Sequence, residues 1–138
     1  MTPTPAVLAV ALYAALNGLI FMWLTAHVGK VRGQRKISIG DGGDPAMIRA
    51  MRGQANFVEA VPLALILMLM AALIGTPAWL LHVFGVALTA GRVFHGLHFC
   101  AEVAPGWQRA AGAGLTLLSV LLLAIGLLGH VLWLMVIA

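Results

Sequence analysis

The sequence predicts an all-α membrane protein, a single bundle of four transmembrane helices over residues 1–138, and three observations support this fold class. Hydrophobic residues make up 62% of the chain and charged residues only 9%, whereas soluble domains carry about 25% charged residues. Four apolar stretches each exceed the roughly 20 residues that a helix needs to cross the bilayer core. No strand-like alternation of apolar and polar residues is sustained, which disfavours a membrane β-barrel. A soluble fold and a disordered tail are excluded, because the chain lacks the polar surface that either would need.

The predicted spans cover about residues 6–28, 45–74, 77–100 and 107–137. The first span is not a signal peptide, because the preceding MTPTPAV has no basic residue and the apolar run is too long. The second span follows a Gly-Asp-Gly-Gly-Asp-Pro turn, in which Asp44 is suited to the N-cap and Pro45 to the first helical position. A tight Gly75–Pro77 turn precedes the third span, and the short Glu102–Gly106 loop precedes the fourth.

The basic residues are placed very unequally around these spans. Lys30, Arg32, Arg35 and Lys36 lie in the long first loop, and Arg109 follows the third loop on the same side. The positive-inside rule therefore predicts that both loops are cytoplasmic and both termini are outside, which is the periplasm for a bacterial inner membrane. The net charge of +4 comes without a basic stripe interleaved with aromatic residues, so nucleic-acid binding is not indicated.

A polar stripe runs along the second span. Arg49, Arg52, Asn56 and Glu59 fall within roughly an 80° arc of a helix. Ionisable residues inside a span cost roughly 2.5–3.5 kcal/mol each and usually mark function. Arg52 and Glu59 lie about 10 Å apart along the axis, a spacing that suits a small zwitterionic ligand between them. A purely structural network of these arginines and Glu59 is the alternative interpretation.

The third and fourth spans add polar residues at the same depth. Arg92 and His95 share one face of the third span, and Arg109 begins the fourth. Arg109 has a second interpretation, in which its side chain reaches the phosphates of membrane lipids. The sequence therefore places several arginines beside few carboxylates, which indicates an anion site.

The remaining polar residues give weaker signals. His27, His82 and His130 lack the spacing of metal ligands, so no metal site is predicted. Asn17 in the first span is expected to form a hydrogen bond between helices. Cys100 is the only cysteine, which excludes an internal disulfide and any CxxC site.

Several of these motifs are similar to one known family. The run RGQANFVEAVP over residues 52–62 resembles the RxxxNxxExxP signature of the MAPEG family, the membrane-associated proteins in eicosanoid and glutathione metabolism. The preceding KISIGDGGDPAMIRAMR resembles the bacterial branch of that family. The segment 92–95, RVFH, is similar to an RxYH-like segment of the family's third helix, and Arg109 stands where the family has an arginine. The likeness covers nearly the whole chain.

The resemblance implies a homotrimer with glutathione, the co-substrate, bound between neighbouring subunits near the cytoplasmic face. It implies a glutathione-dependent transferase or peroxidase acting on lipophilic small molecules that enter from the membrane lipids. It places Arg109 on the thiolate, with Arg92 as the second catalytic arginine. The glutathione contacts that it implies are Arg32, Arg52, Gln54, Asn56, Glu59 and His95.

Two positions depart from the family pattern. Ala60 stands where many members have a glutathione-contacting tyrosine, and Phe94 replaces the tyrosine of the third-helix motif. The only tyrosine of the chain is Tyr13, in the first span. Two other function classes therefore stay open: a non-catalytic membrane protein that binds glutathione or lipid, and a small multidrug transporter. The arginines around Glu59 argue against the transporter, because they repel cations.

Overall fold

Four long helices account for most of the chain. The computed structural model describes residues 2–137, and its helices are α1 (Pro5–Arg35), α2 (Pro45–Leu73), α3 (Ala78–Cys100) and α4 (Gly106–Ile137). Residues 2–137 contain no strand. All four helices are long and apolar enough to cross a membrane. The predicted fold class is confirmed, and the chain is a multi-pass membrane protein.

The connection between α1 and α2 is shorter than the sequence predicted. The helix α1 continues beyond residue 28 and ends only at Arg35, because the basic residues there favour helix and lie well at a helix C-terminus. Lys36 then adopts the left-handed conformation, with φ 54°, and its N–H points to the carbonyls of Arg32 and Gly33. At the start of α2, the Asp44 carboxylate accepts hydrogen bonds from two backbone N–H groups, at 2.9 and 3.0 Å, which confirms the predicted N-cap.

The helices are arranged with α2 and α3 in the centre. These two contact each other and both outer helices, whereas α1 and α4 make no contact with each other within the described residues. The outer helices therefore lie at opposite corners of the bundle. The connections α1–α2 and α3–α4 meet at one end, which we call the basic end because the first loop and Arg109 lie there.

The core lies between the central helices and α1. Met68 of α2 and Leu81 and Leu88 of α3 are fully buried there. Asn17 of α1 is also buried, and its side-chain amide donates to the Tyr13 carbonyl and to the Thr89 hydroxyl of α3, both at 2.9 Å. The expected hydrogen bond of Asn17 between helices is therefore confirmed. This hydrogen bond joins α1 to α3 in the bundle core.

Candidate functional site

A cavity of about 610 Å³ opens between α2 and α4 near the basic end, with α3 as its floor. Its walls are polar towards that end and apolar towards the middle of the bundle. The residues that line it are Arg52, Asn56, Glu59, Ala60, Leu63, Arg92, His95, Phe99, Arg109, Ala113, Thr116, Leu117 and Val120. The cavity joins a charged pocket to an apolar groove in one continuous space.

Most of the predicted site residues meet in this cavity. Six of the eight line it, from three different helices: Arg52, Asn56, Glu59, Arg92, His95 and Arg109. Their convergence follows from helical spacing, because positions three and four apart share one face. The structure brings these six residues together, and their role in binding stays a prediction.

Gln54 and Arg32 do not line the cavity of their own chain. Gln54 follows Arg52 by two positions and therefore faces the other side of α2, where its amide donates to the Thr25 hydroxyl of α1 at 2.8 Å. Arg32 donates to the carbonyls of Ile37 and Gly40 at 3.3 and 2.9 Å. Arg32 thus fixes the shape of the first loop. Both side chains lie on the α1–α2 side of the bundle.

Arg49 belongs to the predicted stripe but lies outside the cavity. Its position at the edge of the stripe turns it towards the end of α3, where its guanidinium donates to the carbonyls of His98 and Ala101. The same guanidinium lies over the ring of Phe99, 5.6 Å from the ring centroid. Arg49 therefore caps the carbonyl end of α3 and holds Phe99, which is part of the cavity floor. Arg49 thus lies at the edge of the predicted stripe, and its guanidinium contacts the end of α3 instead of the cavity.

Arg92 lines the cavity although its side chain is almost completely buried, with 3% of its surface exposed. Its two terminal nitrogens donate to backbone carbonyls on both neighbouring helices, Gly112 of α4 at 2.8 Å and Asn56 of α2 at 3.4 Å. Its Nε atom is buried and has no partner among the described residues. Arg92 therefore ties three helices together at the cavity floor, a role that its residue type alone did not indicate.

Gly112 is the point at which α4 approaches α3. A Cβ atom placed there would lie 2.7 Å from the Gly91 carbonyl oxygen and 2.7 Å from the His95 Cβ. The Gly112 carbonyl accepts from Arg92 and also from the Thr116 hydroxyl, at 2.9 Å. Sequence reasoning missed this contact, although the small residues Gly112 and Thr116, four apart, are a known signal of close helix packing.

His95 occupies the centre of the cavity floor. It is 5% exposed, and its ring packs on Phe99 with the ring centroids 4.7 Å apart. Within residues 2–137 neither ring nitrogen has a hydrogen-bond partner, and neither is fully enclosed. His98, one turn further, points instead to the Pro105 carbonyl at 3.3 Å. His95 thus presents a free imidazole to whatever occupies the cavity.

The cavity carries an excess of positive charge, and its arginines form no ion pair within the described residues. Three guanidinium groups and one carboxylate line it. The ion pair found between residues 2 and 137 is Arg35–Asp44 in the first loop, at 3.6 Å, so Glu59 does not neutralise any of these arginines by direct contact. Unpaired charges at membrane depth are costly. This arrangement favours an anionic ligand that also carries a positive group for Glu59.

A second, smaller cavity differs from the first because no charged side chain lines it. It has a volume of about 220 Å³ and lies towards the opposite end, between the start of α3 and the end of α4. Its lining is apolar apart from Thr76 and His130 and includes no Lys, Arg, Asp or Glu. Residues 2–137 also contain no group of three or more His, Cys, Asp or Glu that could hold a metal ion. Of these two cavities, the one at the basic end is therefore the one lined by charged side chains.

Comparison with known proteins agrees with this architecture. The sequence profile of the MAPEG family matches residues 10–129, which include all the residues of this cavity. The chain is 34% identical over 123 residues to the inner membrane protein YecN of Escherichia coli strain K12, covering 89% of this chain and 92% of that protein. The inner membrane protein YecN of Escherichia coli O6:H1, strain CFT073, is similar to the same extent.

Proposed function

The chain belongs to the MAPEG family, and on that premise we propose that it is a membrane-embedded glutathione-dependent transferase or peroxidase acting on lipophilic electrophiles. One observation carries this proposal: the cavity joins three guanidinium groups and one carboxylate to an apolar groove. Glutathione offers two carboxylates, one ammonium group and a thiol, which complement such a charge set. The apolar groove suits a second substrate that partitions into the bilayer.

The charged residues of α2 bind different groups of glutathione. Arg52 holds a carboxylate through forked hydrogen bonds, and Glu59, about 10 Å further along α2, holds the ammonium group. Asn56 lies between them and supplies both a donor and an acceptor to the peptide groups. This assignment uses three residues that share one face of α2 and line one wall of the cavity.

Arg109 stabilises the thiolate. The thiolate is the nucleophile, yet a free cysteine thiol has a pKa of about 8.5 and is mostly protonated at neutral pH. A guanidinium within roughly 4–6 Å lowers such a pKa by about one to three units. Arg109 is suited to this role because its side chain, unlike that of Arg92, donates no hydrogen bond to the backbone of the described residues. Arg92 acts chiefly by positioning the cavity floor.

The binding site is completed by a neighbouring subunit of a homotrimer. The cavity is open on the α2–α4 side, while Gln54 and Arg32 lie on the α1–α2 side. A closed ring joins two different faces of the subunit at every interface. In such a ring the α1–α2 face of one subunit covers the α2–α4 cavity of the next, so that Gln54 and Arg32 reach glutathione from the neighbour.

The protein resides in a bacterial inner membrane with both termini in the periplasm. The Lys and Arg residues outside the helices' apolar segments gather at the basic end, which the positive-inside rule places in the cytoplasm. Glutathione then enters the charged half of the cavity from the cytoplasm. Lipophilic electrophiles enter the apolar half from the surrounding lipids, and their high concentration there favours the encounter.

Non-catalytic binding of glutathione is the second candidate, and one observation favours it. Ala60 lines the cavity and contributes no hydroxyl group. Tyr13 does not replace the missing phenol, because it lies between α1 and α3 with its hydroxyl 3.0 Å from Nδ1 of His82. Glutathione binding without turnover of any electrophile would support this candidate.

Calorimetry on the detergent-solubilised protein tests the proposal. We expect glutathione to bind the natural chain and to bind Arg52→Ala at least tenfold more weakly, because a charge-assisted hydrogen bond contributes about 1.5–3 kcal/mol. Arg35→Ala is the matched control, since Arg35 pairs with Asp44 outside the cavity. Absence of glutathione binding to the natural chain, or equal losses in both variants, would contradict the proposal.

A further inference from the structure

Lys36, directly after α1, is the one residue other than glycine that has a positive φ angle within residues 2–137. The other positions with positive φ are Gly40, Gly42, Gly43 and Gly75. We propose that Lys30 and Lys36 bind the headgroup of an anionic phospholipid of the surrounding bilayer, and that Ile39 inserts among the lipids beside it. This surface is separate from the cavity between α2 and α4, because none of these three residues lines that cavity.

The backbone at the end of α1 favours glycine at the position that Lys36 occupies. The N–H of Lys36 donates to the Gly33 carbonyl at 3.3 Å. The N–H of Ile37 donates to the Arg32 carbonyl at 3.1 Å, which completes the Schellman arrangement of a helix end. The left-handed residue of this arrangement is usually glycine, because a Cβ atom there lies too close to a carbonyl oxygen. A side chain retained at such a strained position indicates a function, and here it supplies an exposed ammonium group.

The carboxylates of the first loop are engaged by other groups. Asp44 accepts hydrogen bonds from two N–H groups at the start of α2 and pairs with Arg35 at 3.6 Å. Asp41 accepts a hydrogen bond from a backbone N–H of its own turn at 2.9 Å. Neither Lys30 nor Lys36 forms an ion pair with any residue between 2 and 137. The loop therefore presents two ammonium groups that an external anion can bind.

The two lysines lie at the depth of the lipid headgroups. The apolar part of α1, residues 6–28, is about 34 Å long, which is enough to cross the roughly 30 Å hydrocarbon core. Lys30 follows about 3 Å beyond this part, and α1 ends at Arg35, about 8 Å further along the axis. The headgroup layer on each side of a bilayer is about 5–8 Å thick. Lys30 and Lys36 therefore span the layer that contains the lipid phosphates.

Ile39 adds an aliphatic side chain next to these charges. It is 89% exposed, although isoleucine is among the residues that are most often buried. The Arg32 guanidinium donates to the carbonyls of Ile37 and Gly40, on either side of Ile39, at 3.3 and 2.9 Å. The loop that carries Ile39 is therefore held in one shape. Apolar insertion combined with attraction between basic residues and anionic lipids is the usual way in which a protein surface binds such a membrane.

A lipid fits this surface better than a soluble anion does. Both lysines are exposed, and neither lines either of the two cavities described above. An ion pair on an open surface is weak because water and salt screen it, so a free anion would be held poorly there. The bilayer, in contrast, keeps its anionic headgroups at the depth of the lysines at all times.

Native mass spectrometry of the detergent-solubilised protein tests the lipid site. Phosphatidylglycerol and the zwitterionic phosphatidylcholine are titrated separately, and the dissociation constant of the first bound lipid is compared. We expect the natural chain to prefer phosphatidylglycerol, and Lys36→Gly to bind it about fivefold more weakly, because one basic residue near the headgroups contributes about that factor. Lys30→Gln is expected to show a loss of similar size, and the affinity of both variants for phosphatidylcholine stays unchanged.

Lys36→Gly separates the charge from the fold, because glycine suits the left-handed backbone better than lysine does. Its unfolding temperature is expected to equal or exceed that of the natural chain. Lys36→Asn, which also tolerates this conformation, should lose the same affinity, whereas Lys36→Arg retains the charge and should keep it. Equal affinity of the natural chain for both lipids, undiminished affinity of Lys36→Gly for phosphatidylglycerol, or an equal loss in Lys36→Arg would each overturn the lipid site.

Ile39→Ser tests the apolar part of the surface. We expect this variant to bind both lipids more weakly, since the contribution of Ile39 does not depend on the charge of the headgroup. Unchanged binding of both lipids would overturn the role of Ile39. Glutathione binding in calorimetry stays the same in Lys36→Gly and in Ile39→Ser, so the lipid site and the proposed function succeed or fail separately.

Discussion

Replacement of Gly112 by alanine tests the packing that forms the cavity floor. The added methyl group would lie 2.7 Å from the Gly91 carbonyl oxygen and from the His95 Cβ. Ordinary contact for a Cβ atom begins near 3.4 Å, so α4 must retreat from α3 by about 0.7 Å, which is 3.4 minus 2.7. Both obstacles belong to rigid parts of α3 and cannot move aside as a flexible side chain can. The substitution therefore separates two helices at the site itself.

The energetic consequences follow from the same distances. Overpacking of a close contact costs roughly 1–3 kcal/mol. The hydrogen bond from Arg92 to the Gly112 carbonyl lengthens from 2.8 Å towards the limit of a hydrogen bond, which adds up to about 1.5–3 kcal/mol because the donor is charged. We also expect the proposed glutathione affinity and turnover to fall, since a displacement of about 1 Å in a site costs up to roughly 10²-fold in rate.

Thermal unfolding in detergent and calorimetry with glutathione measure the two effects of Gly112→Ala. Gly114→Ala is the matched control on the same helix, because a Cβ atom there meets nothing within 4 Å. The control is expected to unfold at the same or a slightly higher temperature, since alanine favours a helix over glycine by about 0.5–1 kcal/mol. Equal unfolding temperatures and equal affinities for the two variants would refute the close contact.

Three further substitutions probe separate parts of the account. Arg109→Ala should abolish conjugation of 1-chloro-2,4-dinitrobenzene while glutathione still binds, as followed by turnover and calorimetry; undiminished turnover would remove Arg109 from the mechanism. Asp44→Ala should lower the free energy of unfolding by about 1 kcal/mol through loss of the N-cap of α2, and unchanged stability would argue against that cap. Ala60→Tyr should raise the affinity for glutathione by supplying a phenol to the cavity, whereas unchanged affinity would show that position 60 does not face the ligand.

The fold could be predicted because membrane insertion imposes a simple pattern on the sequence. Each span needs about 20 apolar residues, and turn residues mark the connections. The Asp44 cap and the hydrogen bond of Asn17 between helices followed from the chemistry of single residues. The end of α1 could not be predicted from hydropathy, because helix propensity rather than apolarity extends it to Arg35.

The cavity could be predicted in part. Arg52, Asn56 and Glu59 meet because they follow the period of one helix, and this period is visible in the sequence. Gln54 shows the limit of a family resemblance, because its spacing of two residues from Arg52 already places it on the opposite face of α2. The binding of Arg92 to two backbone carbonyls depends on how three helices pack. Such tertiary contacts cannot be predicted from the periodicity of a single sequence.

We propose that glutathione occupies the cavity between α2 and α4 and is covered by a neighbouring subunit. A structure of the detergent-solubilised protein determined with glutathione tests it most directly. We expect a trimer with density for one glutathione per cavity, its carboxylate and ammonium ends between Arg52 and Glu59 and its sulfur towards Arg109. A cavity that stays empty at saturating glutathione, or glutathione bound away from these residues, would contradict it.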